Sequence, residues 1–224
     1  MRHGTDVHVA LASDTARWCA RSLEDPGRTS RSRGSSGTCG PRGTSRASDA
    51  TAALEGRDAN LRKARFVQKL LEIRNVEFAQ ANLEQADLNG FGKFDAVFCS
   101  GLLYHLPEPW TLLEKLPEVA PLLFIWTQYA AENEAQEIGP GLRGKIHREG
   151  GPDEPLSGMS ATATWLTLES LGAVLTASGY GQIEIIHDDP AQATGPAVTV
   201  RATFAPGSTR PSGLPPAADL RPRS

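Results

Sequence analysis

Residues 93–110 read KFDAVFCSGLLYHLPEPW. The first half is a short apolar run of β-branched and aromatic residues, suited to a strand at the centre of a sheet. It stops at Ser100–Gly101, after which come a Tyr–His pair and two prolines. In an open parallel sheet, ligands lie beyond the carboxyl ends of the strands. A strand that ends in Ser, Tyr and His therefore reads as part of an active site.

The flanking sequence supplies the sheet. ATAALEGR (50–57) is a short apolar run ending at Glu55 and Gly56, read as a strand, and Asp58 is placed to cap the helix that follows. Leu61, Ala64, Val67 and Leu71 fall on one helical face, and Asn75 is a plausible stop. VEFAQANL (76–83) alternates as a strand does. PWTLLEKLPEVA (109–120) is a short helix and PLLFIWTQY (121–129) a further strand. Strands and helices thus alternate from 50 to 129, the pattern of an α/β fold with a parallel sheet. A Gly- and charge-rich stretch, 131–160, is too long for an ordinary connection. TWLTLESLGAVLTASG (164–179) reads as a helix closed by Gly179, and QIEIIHDD and AVTVRATF as an antiparallel hairpin.

Composition narrows the function classes. The net charge of −3 gives no basic field to draw nucleic acid. The longest apolar stretch, VAPLLFIW (119–126), is far too short to span a bilayer, and the first residues have no apolar core of the secretory kind. Three isolated cysteines suit a reducing cytoplasm better than a disulfide framework or a metal site. No aliphatic or aromatic residue occurs from Glu24 to Arg46, and the tail after Phe204 is rich in Pro, Ser and Arg. Such segments bury too little apolar surface to offset their ordering entropy. The expected plan is a poorly ordered segment 1–49, an α/β domain 50–204 with 131–163 as an insert or lid, and a disordered tail 205–224.

A run of α/β units closed by an antiparallel hairpin resembles the class I S-adenosylmethionine (SAM)-dependent methyltransferases. ALEGRDANLRKARF looks like the end of that family's second strand, VEFAQANLEQADL like its third strand and loop, and FDAVFCSGLLYHLPEPWTLLEKL like its fourth strand and the helix after it. The resemblance covers roughly residues 50–204. It implies a Rossmann-like sheet, mostly parallel with a C-terminal antiparallel hairpin, a SAM cofactor and a small-molecule or modified-base methyl acceptor. Glu55 and Gly56 would bind the cofactor's ribose, Asn82 and Leu83 its adenine, and Ser100 and Gly101 would border it. His105, with Tyr104, is the candidate catalytic group. The bland alternatives are a capping or solvated Glu55, a turn-forming Asn82, a core Leu83 and a histidine that only fixes its loop.

The family's glycine turn after a first strand is not visible. The twenty to thirty residues before Glu55 carry Gly34, Gly37 and Gly40 without an apolar strand before them or an apolar helix after them. The first strand is therefore expected to be missing or distorted. A one-base shift of the reading frame through Arg28–Thr38 is compatible with an apolar strand followed by glycines. Translating the gene in all three frames tests this, and finding no such strand in any frame rejects it. Two function classes follow: a methyltransferase, or a binding module of the same fold without a working cofactor loop. A dehydrogenase fits the fourth-strand end and the terminal hairpin less well.

Overall fold

The computed structural model describes residues 8–12, 51–154 and 156–205. Seven strands form one sheet in the order β3-β2-β1-β4-β5-β10-β9. They are β1 (His8–Ala12), β2 (Thr51–Glu55), β3 (Val76–Gln80), β4 (Ala96–Ser100), β5 (Leu122–Gln128), β9 (Tyr180–Asp189) and β10 (Ala197–Phe204). The pairs β2–β3 and β4–β5 are parallel, whereas β1 and β10 run against their neighbours, so five of the seven strands point one way. The sheet is mixed, with the expected antiparallel hairpin at its end.

The central position belongs to a segment that the sequence reading left outside the domain. His8–Ala12 lies between β2 and β4 and is antiparallel to both, with Val9 opposite Leu54 and Cys99. Its end at Ala12 therefore stands beside Thr51 and Ala96, at the amino ends of β2 and β4, while His8 stands beside Ser100 at a carboxyl end. The expected disorder of 24–46 and 205–224, the three glycines and the shifted-frame tract lie outside the described residues.

Among the described residues, three α-helices and a second sheet accompany this sheet. α1 (Asp58–Leu70) follows β2, α2 (Pro109–Lys115) follows β4, and α3 (Leu168–Ala177) precedes the hairpin. The inward residues of the central strands, Val97, Cys99, Leu123 and Ile125, are buried in one cluster with Trp110, Leu113, Leu171 and Leu175 of α2 and α3. Burying each such side chain contributes on the order of 1.5–3 kcal/mol. The opposite face is less covered: Phe98 is 51% exposed, as is much of α1 at Phe66, Val67, Leu70 and Leu71.

Several local expectations change. Asp58 does not cap α1: the cap is Arg57, and Asp58 pairs instead with Arg62 at 2.9 Å. Of the anticipated stripe only Leu61 is buried, because α1 ends at Leu70 and Val67 and Leu71 face outward. The helix read over 164–179 begins only at Leu168. Thr162–Leu166 is instead strand β8, joined to β6 (Gln136–Gly139) and β7 (Leu142–Arg148) in a three-stranded antiparallel sheet. Thr167 stops the strand and starts the helix, its hydroxyl accepting the Ser170 amide proton. Among the described residues no helix is long and apolar enough to cross a membrane.

Candidate functional site

The loop that ends β4 is built by contacts, not left free. Gly101 takes φ +70° and donates its amide to Trp126 O, so the chain turns sharply at a position that favours glycine. Residues 103–105 then form a single 3₁₀ turn. Strand β8 grips that turn along its length. Trp165 Nε1 donates to Tyr104 O at 3.0 Å, the Thr164 amide to Leu106 O at 2.8 Å and the Thr164 hydroxyl to Pro107 O at 2.6 Å. The Tyr104 ring is buried against His105, Trp126 and Trp165. Tyr104 thus belongs to an aromatic wall, and the insert is a folded partner of the strand end.

A cleft at the carboxyl ends of β2, β3 and β4 is lined by Glu55, Gly56, Asn82, Leu83, His105 and Met159, among others. Five of the sequence-predicted residues therefore meet around one space. Ser100, Gly101 and Tyr104 do not line it and stand beside it in the wall of the β4 loop. Glu55 is buried. Its Oε1 accepts the Arg57 amide at 2.7 Å, while Oε2 has no partner among the described residues. Asn82 serves a turn, its Oδ1 accepting the Glu84 amide at 3.1 Å. Leu83 is packed in the core cluster.

Residues missed by sequence reasoning come from the strap after β7. Glu149 Oε1 lies 3.0 Å from His105 Nδ1, and its Oε2 accepts the Ser157 hydroxyl and the Gly158 amide. Arg57 reaches across to the same strap, its guanidinium donating to the carbonyls of Gly151, Pro152 and Gly158. Ser160 bonds the Glu84 carboxylate. The strap thus lies over the cleft, with Met159 against Gly56, and leaves a cavity of ≈ 40 Å³. That holds a few waters and not a nucleoside. Only the acidic, Gly-flanked text REGGPDEP hinted at this role.

The electrostatics separate the two charged partners. Burial opposes ionisation of Glu149, but the donors Ser157, Gly158 and His105 outweigh it and hold the carboxyl below its ordinary value. Burial lowers the His105 pKa below 6.5. The Glu149 bond and charge oppose that shift, and Arg57 and His147 add to it. Near neutral pH the pair is a neutral imidazole beside a carboxylate.

The comparisons point one way. A family model described as "Methyltransferase domain" matches residues 37–120. The N-terminal domain of EvdMO1, solved in the presence of SAH and D-fucose, is 35% identical with a TM-score of 0.62, over 68% of this chain and 65% of that one. Over residues 37–120 the chain is similar to methyltransferase domains, and over 68% of its length to a domain solved with SAH. A further likeness is to chemotaxis protein methyltransferase 2 of Pseudomonas aeruginosa, 39% identical over 56 residues, which are 25% of this chain and 19% of that protein. The EvdMO1 chain matches at 33% identity and a TM-score of 0.51, over 67% of this chain and 30% of its own length. This chain therefore spans less than two thirds of each of these relatives. Class I methyltransferases use SAM, and an observation in this site fits it: a buried carboxylate oxygen at the end of β2, without a partner among the described residues, is what a ribose hydroxyl would satisfy.

Proposed function

We propose that this chain transfers a methyl group from SAM to a hydroxyl of a small, sugar-like acceptor, with His105 as general base. One observation carries the reading: a carboxylate-bonded histidine lines the same cleft as the Glu55 oxygen that has no partner among the described residues. Bound SAM supplies an electrophilic methyl on a sulfonium. The chain's part is to hold and orient. Glu55 Oε2 would accept from the ribose, and the Asn82 amide group would meet the adenine edge. The displacement is in line, so orientation supplies much of the rate. A hydroxyl must also lose its proton as it attacks, which gives a neutral imidazole work to do. The sugar class rests on the D-fucose present with the similar EvdMO1 domain and on the aromatic wall of Tyr104, Trp126 and Trp165 beside His105. Residues 149–161 act as the lid.

The test is calorimetry with SAM, together with transfer of labelled methyl to D-fucose and to nucleosides. Glu55→Ala is expected to weaken SAM binding by about 1–3 kcal/mol, the cost of an unpaired buried hydroxyl. His105→Gln is expected to abolish transfer and leave SAM affinity unchanged. Undiminished affinity in the Glu55 variant would remove that residue from the site. Labelled nucleoside with unlabelled sugar would overturn the acceptor class.

A further inference from the structure

We propose that Glu149 is a positioning residue for methyl transfer: it fixes the proton of His105 on Nδ1 and thereby presents the Nε2 lone pair to the acceptor. This rests on the reading of His105 as the base. Each carboxylate oxygen of Glu149 already receives a donor. Oε2 takes the Ser157 hydroxyl and the Gly158 amide, and Oε1 faces His105 Nδ1 at 3.0 Å. A carboxylate that accepts on all sides has no proton to give, so Nδ1 must be the donor. The neutral ring then carries its lone pair on Nε2. The Ser157 hydroxyl also receives the Gly150 amide, so the carboxylate is held by a closed turn of the strap. The side chain of Glu149 is 4% exposed and that of His105 12%, so water competes little for the bond.

The step balances without another reactant. Nε2 takes the hydroxyl proton as the oxygen's electron pair forms the C–O bond to the methyl carbon. The C–S pair stays on sulfur, so the sulfonium becomes a neutral thioether. The positive charge lost there appears on the imidazolium, which the Glu149 carboxylate faces. The other charged and titratable groups facing His105 are Arg57 and His147, and both oppose that charge, which leaves Glu149 as its stabilising partner.

The experiment is nitrogen-resolved NMR of the His105 ring in the full chain, with no cofactor needed, followed by kinetics of Glu149→Gln. The wild-type ring is expected to show the Nδ1–H form at neutral pH. In Glu149→Gln the amide can donate to Nδ1, so the ring is expected to switch to Nε2–H. Then kcat falls by about a hundredfold or more, while KM for the acceptor and SAM affinity change little. Removing the carboxylate also removes what raises the His105 pKa, so the acid limb of kcat/KM moves to lower pH. Glu149→Asp is expected to restore the Nδ1–H form and part of the rate. A wild-type ring protonated on Nε2, or a Gln variant with an unchanged tautomer and kcat, overturns the proposal. An inactive wild type with the Nδ1–H form would fault the reading of the reaction and leave the tautomer assignment standing.

Discussion

At Cys99 the thiol is fully enclosed by the sheet core, and burial alone raises its pKa to about 12. The thiolate is the reactive species, so this cysteine is inert in the folded chain. Iodoacetamide followed by peptide mass analysis is expected to leave Cys99 unlabelled until denaturant is added. Labelling at the rate of an exposed thiol would place it outside the core. The same scale shows what single residues disclose in a sequence. Glu55 was legible because an acid at a strand end before a glycine is a local pattern. Glu149 was not, because its partner His105 lies 44 residues away and only the fold brings them together. Asn82 forms the turn weighed for it as the bland alternative, and it also lines the cleft.

Among the elements, the apolar runs of β4 and β5 and the period-two alternation of β10 were read correctly, since these strands carry their own burial pattern. The β8–α3 junction was misread. Thr162–Leu166 alternates with period two, but Trp165 and Leu166 also continue the helical spacing of Leu168 and Leu171. Pairing with β7 and the stack of Trp165 on His147 decide for the strand. The strap after β7 has no periodic signal at all, because turns and one long-range cation hold it. Its seat is close: a Cβ on Gly158 would overlap the backbone oxygen of His105. On the proposed reading the strap lifts to admit the cofactor, and the Arg57 bonds to the carbonyls of Gly151, Pro152 and Gly158 oppose that lift. Arg57→Ala is expected to speed amide hydrogen exchange at 149–160 and to raise the SAM association rate severalfold. Exchange equal to wild type would mean that the guanidinium does not restrain the strap.

The whole sheet depends on what stands at its centre. The order β3-β2-β1-β4-β5-β10-β9 could be anticipated for every strand except β1, since alternating α/β units and a closing hairpin fix the rest. β1 escaped notice because HVALA is five residues long and 38 residues separate it from β2. No local periodicity could tell which way it would run. Its reversed direction puts Ala12 beside Thr51, at the far end of β2 from Glu55. β1 also completes two ladders, with Ala10 opposite both Ala53 and Phe98. Proline there removes a backbone donor from the middle of a sheet and leaves a facing carbonyl unpaired. Ala10→Pro is therefore expected to destabilise the domain by about 1–3 kcal/mol, lowering the thermal midpoint by several degrees. A proline in a peripheral arm would change nothing. A melting curve superimposable on the wild type would show that residues 8–12 do not hold the sheet together, and that another segment occupies the place between β2 and β4.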